Sequence, residues 1–295
     1  MALGPIEPAA LDFILKVERQ YASLITAGGP DSSLKSERVP QVSLLRPGTQ
    51  NKDTGAGPDR EPGLGGNLLY VGELDAAGRA LLVAGNIAGT ASLAASADLP
   101  AQKLAIRDGA ADFLVTSLSE ALRILKNQIR KRETVAVCIS SAPEMVEQEM
   151  LERGVLPDLL RPGYEISGHS PFVSQGARQL PPMAVEKNSI LLIWRVAAAP
   201  ALWLPKLDAI AIDCLQPDAW SARRWLRLAP RYLGRMAQGV RLLLCDREFK
   251  ANFIERARAQ VECGEIGVQV EIQVSGRGTG EDYWLSPLGN AKGLG

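Results

Sequence analysis

Leu81-Leu82-Val83-Ala84-Gly85-Asn86-Ile87-Ala88-Gly89-Thr90 opens on apolar residues and closes around a glycine pair. Leu81 to Ala84 predicts a strand, Gly85 to Thr90 a glycine-containing turn, and Ala91 to Ala97 a short helix of small residues. A strand feeding a glycine turn and a helix is how parallel α/β folds make a phosphate site. Backbone N–H groups and the positive helix end then face an anion. Two further strand–helix alternations follow, ending at Arg153-Gly154-Val155-Leu156-Pro157-Asp158.

Upstream, Leu68 to Gly72 predicts a strand, Asp75 to Gly78 a turn, and Arg79 to Ala84 the second arm of a hairpin. Downstream, Asp98 caps a helix running through Arg107, with Pro100 tolerated in its first turn. Phe113 to Thr116 is a short strand. Ser117-Leu118-Ser119-Glu120 is then a capping box, and Leu118, Ala121, Leu122, Ile124, Leu125 and Ile129 line one helix face. Thr134 to Ile139 is β-rich without alternation, the pattern of a strand covered on both faces. A helix from Ser141 to Arg153 ends at Gly154, and Leu156 to Leu160 is a short strand.

Arg161 to Lys187 is irregular. Beyond it the pattern predicts strands at Ser189–Val196, Ala209–Cys214, Val240–Cys245 and Val268–Val274. Helices fall near Ala199–Leu204 and at Asp218–Ala237 and Glu248–Cys263. The expected fold is α/β: a Rossmann-like, doubly wound, mainly parallel sheet with helices on both faces, plus an N-terminal helical arm. Residues 1–27 form the arm and 28–66 a Gly/Pro-rich linker. Residues 67–274 form the α/β domain, as one body or as halves 67–160 and 188–274. A glycine-rich tail, 275–295, is expected to be mobile, with Tyr283-Trp284-Leu285 as an anchor.

Composition narrows the function classes. The 33 Lys and Arg balance the 33 Asp and Glu, so no global field draws in nucleic acid or an anionic membrane. No apolar run is long enough to span a bilayer, and Met1 to Pro5 lacks the pattern of a secretory signal. Cys138, Cys214, Cys245 and Cys263 are widely spaced, as buried thiols in a reducing cytoplasm would be. The single histidine, His169, excludes a multi-histidine metal centre within one chain, and no metal is expected.

The segments Lys103 to Asp112, Ser117 to Leu122, Pro143-Glu144 and Arg153 to Asp158 come in a fixed order. That order is similar to the NAD-binding central domain of urocanate hydratase (urocanase). The family has a glycine loop, an Arg-Ile-x-x-Gly-x-x-Asp segment, a Ser-Leu-Asp-Glu-Ala helix and an Arg-Gly-Val-x-Pro-Asp turn. This chain keeps Gly85 and Gly89 of the loop, has Ser140-Ser141 where the family has Gly-Asn, and retains a His-x-Pro ending at His169 to Pro171. The resemblance implies a Rossmann-like domain that binds NAD. In the family, tightly held NAD⁺ acts as an electrophile and water is added to the substrate without net redox change.

The candidate residues each carry two readings. Gly85, Asn86, Gly89, Thr90 and Ser92 form a cofactor cradle, or the glycines serve a tight turn and close helix–strand packing. Ser140 and Ser141 lie where ligands of open α/β sheets bind, and Ser141 is equally a helix N-cap. His169 is a general acid/base or a loop histidine. Asp213 and Asp246 are strand-end acids or helix caps. Trp220 and Trp225 share a helix with Arg223, Arg224, Arg227, Arg231 and Arg235. Basic residues among aromatics can bind nucleic acid, but the zero net charge argues against it and favours inward tryptophans or a homo-oligomer contact. Two functions follow: a dinucleotide-dependent enzyme of the lyase or hydratase type, with Gly85 to Ser92 on the pyrophosphate and His169 handling protons, or a non-catalytic relative that binds a nucleotide or a partner.

Overall fold

A computed structural model of the chain describes residues 8–28, 62–163, 170–182, 189–276 and 279–287. The chain divides into two compact units, Lys16–Ala184 and Met1–Leu15 with Val185–Gly295. Helix α1 (Pro8–Gly28) contributes to both.

The first unit contains β1 (Leu68–Glu73), α2 (Ala76–Ala88), β2 (Ala91–Ala95), α3 (Leu99–Arg107), β3 (Phe113–Val115) and α4 (Leu118–Lys131). It continues through β4 (Val135–Ile139), α5 (Pro143–Glu152), β5 (Leu159–Leu160), α6 (Pro171–Ser174) and β6 (Arg178–Gln179). All six strands are parallel, in the order β3-β4-β2-β1-β5-β6. Tyr70, Leu93, Val137 and Ile139 face α4, α5 and α6 through Leu125, Met150 and Phe172. The alternate face, at Leu69 and Ser92, receives α2. The sheet is therefore doubly wound, as expected for a Rossmann-like fold.

The stretch around Gly85 departs from its expected structure. Ala76–Ala88 is one helix, so neither the hairpin arm at Arg79–Ala84 nor the turn at Gly85–Thr90 forms, and Ala91–Ala95 is a strand where a helix was expected. The reason is burial on every side. From Ala80 to Ala88 no residue of α2 is exposed, which erases the amphipathic period that marks a helix. In β2 the small residues Ala91-Ser92-Leu93-Ala94-Ala95 lie between two strands, and the sheet overrides their modest helix preference.

Two aspartates tie the strand starts together. Asp112 Oδ2 accepts a hydrogen bond from Ala136 N at 2.8 Å, and Asp158 Oδ2 accepts one from Leu68 N at 2.9 Å. Gly109 and Gly154, at φ +70° and +64°, follow α3 and α5 in the left-handed region that glycine tolerates. Each of these four residues has a part in the fold.

The second unit contains β7 (Ile190–Val196), α7 (Pro200–Cys214), α8 (Trp220–Leu233), a 3-10 turn at Gly234–Ala237 and β8 (Val240–Cys245). It ends with α9 (Arg247–Glu262), β9 (Val270–Gly276) and β10 (Thr279–Leu285). Its sheet, β10-β9-β7-β8, pairs antiparallel throughout, so the parallel arrangement stops at the first unit. β8 and β9 flank β7 and are joined by α9, a split β-α-β arrangement. Ala209–Cys214 belongs to α7 rather than to a strand, and 279–285 is a paired strand rather than a mobile tail.

Trp194 packs on Phe253 with ring centroids 4.8 Å apart. Trp225 Nε1 donates to Leu242 O at 2.8 Å, which covers the edge strand β8 with a helix. Arg195–Glu271 (3.2 Å) and Arg241–Asp208 (2.9 Å) are buried ion pairs. Burial pushes the Asp208 carboxyl up to about 6, against the opposing pull of Arg241.

Candidate functional site

Ligands of open α/β sheets sit at the carboxyl ends of neighbouring strands whose connections leave in opposite directions. In the first unit those strands are β1 and β5. The chain leaves β1 through α2 toward β2, and leaves β5 through α6 toward β6 on the other side. A register shift between Tyr70 and Gly72, with Gly72 at φ +72°, bends the end of β1 at this point. Bulges of this type re-aim side chains at strand ends.

The polar groups here are Glu73, Asp75 and Arg161. Asp75 caps α2, its Oδ1 accepting from Gly78 N at 2.7 Å. Arg161 follows β5 directly. Its Nη2 donates to Asp75 Oδ2 at 2.9 Å and its Nη1 to Glu73 O at 3.4 Å. Partial burial works against the Asp75 charge, but the bonds from Arg161, Gly78 and Ala77 outweigh it and hold the carboxyl below its usual range. A permanently charged guanidinium is thus fixed at the diverging ends of β1 and β5.

Next to it, the ends of β2 and β4 are closed by side chains. Gln102 Nε2 donates to Ser96 O at 2.7 Å, and Ser140 Oγ donates to Gln102 Oε1 at 3.2 Å. Cys138 lies beneath, where burial and then the Glu73 charge push its thiol up to about 12, leaving it protonated at neutral pH.

Of the residues singled out in the sequence, only Ser140 and Ser141 lie at this carboxyl edge. Ser141 is not the cap of α5; Ala142 holds that position, and Pro143 opens the helix. Gly85 lies in α2, where a Cβ would come within 2.7 Å of Ser92 Oγ and 2.8 Å of Thr90 Oγ1. Thr90 and Ser92 are buried and bond to each other at 2.9 Å. Asn86 is buried and donates to Ala110 O, while Gly89, at φ +96°, ends α2. Protein atoms fill the space beside Gly85 that a pyrophosphate cradle would need.

The place of such a cradle in this topology is the N-terminus of α2. There the Asp75 carboxylate already takes Gly78 N, so a pyrophosphate would meet a like charge. The residues present do not fit a dinucleotide pyrophosphate at either position. His169 lies outside the described residues. Asp213 is an exposed residue within α7, and Asp246 caps α9 by accepting from Phe249 N at 2.7 Å.

Sequence reading missed Glu73, Asp75 and Arg161. The usable signal was Gly72-Glu73-Leu74-Asp75-Ala76-Ala77-Gly78, a glycine-bounded turn directly after an apolar strand. No group of His, Cys, Asp and Glu among the described residues is arranged to hold a metal ion. No family model matches the chain.

Proposed function

We propose that the parallel-sheet unit binds a small anionic molecule, carboxylate or phosphate in kind, in the crevice where β1 and β5 part. Arg161 is its charge partner. The observation behind this is Arg161 itself, held at the diverging strand ends by Asp75 and the Glu73 carbonyl. Charge-assisted bonds of a fixed guanidinium to an anion are worth more than neutral ones and give orientation. Binding is the core of the proposal. Lyase or hydratase chemistry of the urocanase type is an extension of it, and urocanate, a small carboxylate, is one of the natural probes.

The test is calorimetric titration of the whole chain with urocanate, acetate and inorganic phosphate, repeated with Arg161→Met. Binding of at least one probe is expected, weakened about tenfold or more in the variant, since a hydrogen bond to a charged group contributes about 1.5–3 kcal/mol. No binding of any probe, or binding that Arg161→Met leaves intact, would overturn the proposal. Loss of urocanate absorbance on adding protein would carry it further, to catalysis.

A further inference from the structure

The balanced charge of the whole chain conceals a local imbalance in the second unit. From Ala219 to Cys245 there are six arginines (223, 224, 227, 231, 235 and 241) and no Asp or Glu. Arg241 is committed to Asp208, and Arg223 donates to the Ile212 and Gln216 carbonyls, each at 3.3 Å. All but Arg241 lie on α8 and the 3-10 turn that follows it.

Helix α8 keeps its two kinds of side chain apart. Trp225, Leu226, Ala229 and Leu233 are buried, whereas Arg227 and Arg231, and Arg235 just beyond the helix, are exposed. Arg227 and Arg231 stand four residues apart, which places their guanidinium stems about 6 Å apart along one side of the helix, and Arg235 follows four positions on. The Arg231 guanidinium lies 5.5 Å from the centre of the half-buried Tyr232 ring.

We infer that this ridge is a docking surface for a nucleic-acid strand, recognised through its phosphodiester backbone. Three features favour that occupant. The ridge is entirely arginine, whose planar fork matches phosphate oxygens. Its charges repeat at regular steps, which suits a regularly charged polymer, and Tyr232 beside Arg231 adds a ring of the type on which bases stack. A bilayer is disfavoured because membrane-surface helices put their apolar side into lipid, and that side of α8 is already buried in the protein.

The test uses the full chain and a fluorescein-labelled 20-nucleotide oligo(U) read by anisotropy in about 50 mM salt, where backbone-driven binding is strong. Micromolar binding is expected, falling tenfold or more in Arg227→Gln/Arg231→Gln/Arg235→Gln. The salt dependence should be a log–log slope of roughly −2 for about three neutralised phosphates. Arg247→Gln/Arg256→Gln/Arg258→Gln, which removes the same charge from α9, should bind nearly as well as the parent. The inference is overturned by no binding, by equal loss in the two triple variants, or by binding that the α8 variant retains. Binding to phosphatidylserine-containing vesicles in place of oligo(U) would also overturn it, in favour of a membrane surface.

Discussion

Replacing Gly78 with alanine is expected to destabilise the parallel-sheet unit by about 3 kcal/mol or more, the upper part of the range for overpacked positions. Gly78 lies in the first turn of α2, and a Cβ there would press against the carbonyl oxygen of Glu73. That oxygen is backbone, so relief requires the β1–α2 turn itself to open. The turn carries Asp75, whose carboxylate accepts from Gly78 N and from Arg161. Urea denaturation should show the loss, and the melting temperature should fall by about 6–12 °C for a domain of this size. Gly85→Ala provides a graded comparison. Its Cβ would press on the hydroxyls of Thr90 and Ser92 and on Leu69 Cδ2, all side-chain atoms, and a smaller loss of about 1–2 kcal/mol is expected. If Gly78→Ala is as stable as the parent, the close contact between helix and strand end is not what fixes this turn.

The second large effect is a dependence on pH that one residue carries. Glu18 on α1 is 5 % exposed, and its Oε2 has no hydrogen-bond partner among the described residues. Burial pushes its carboxyl up to about 8, with the neighbouring Arg19 charge pulling weakly the other way. The folded protein therefore holds a proton that the unfolded chain releases near pH 4.5. This contribution to stability is full below the unfolded value and is lost as pH rises through the folded one. Between those limits it falls by about 1.4 kcal/mol per pH unit. Glu18→Gln keeps the shape and removes the proton. It should match the parent near pH 4.5 and exceed it by roughly 4–5 kcal/mol at pH 8.5. Equal pH profiles for parent and variant would show that Glu18 is not a buried titrating group.

The fold was partly legible because some elements advertise themselves locally. The capping box at Ser117 and the apolar face of Leu118, Ala121, Leu122 and Leu125 mark α4 without tertiary help. Val135–Ile139 shows its burial on both faces by having no alternation. Helix α2 could not show itself in this way, because burial removed the polar stripe by which a helix is recognised. A strand at Leu81–Ala84 would put the glycine turn at Gly85–Thr90, whereas the turn after the actual strand β1 lies at Gly72–Gly78. In the second unit, strands separated by helices implied parallel pairing. The insertion of β7 between β8 and β9 is a long-range choice that no local pattern records.

The candidate site was less legible for a related reason. Arg161 meets Asp75 only because β5 lies beside β1, a pairing across 86 positions of sequence. In sequence, Asp75 is an ordinary turn residue and Arg161 a charge at the start of an irregular segment. Asp112 and Asp158 bind strand N–H groups, and Gly109 and Gly154 end helices. Such residues specify architecture, and their presence is compatible with more than one chemistry.

The most direct test of the proposed crevice is amide NMR on the isotopically labelled chain, titrated in turn with urocanate, acetate and inorganic phosphate. Ligand binding where β1 and β5 diverge predicts that at least one probe shifts the resonances of Gly72 to Ala76 and Arg161, while those of Gly85 to Ser92 stay nearly fixed. Shifts confined to Gly85 to Ser92, or no shift at Gly72 to Ala76 and Arg161 with any of the three, would contradict it.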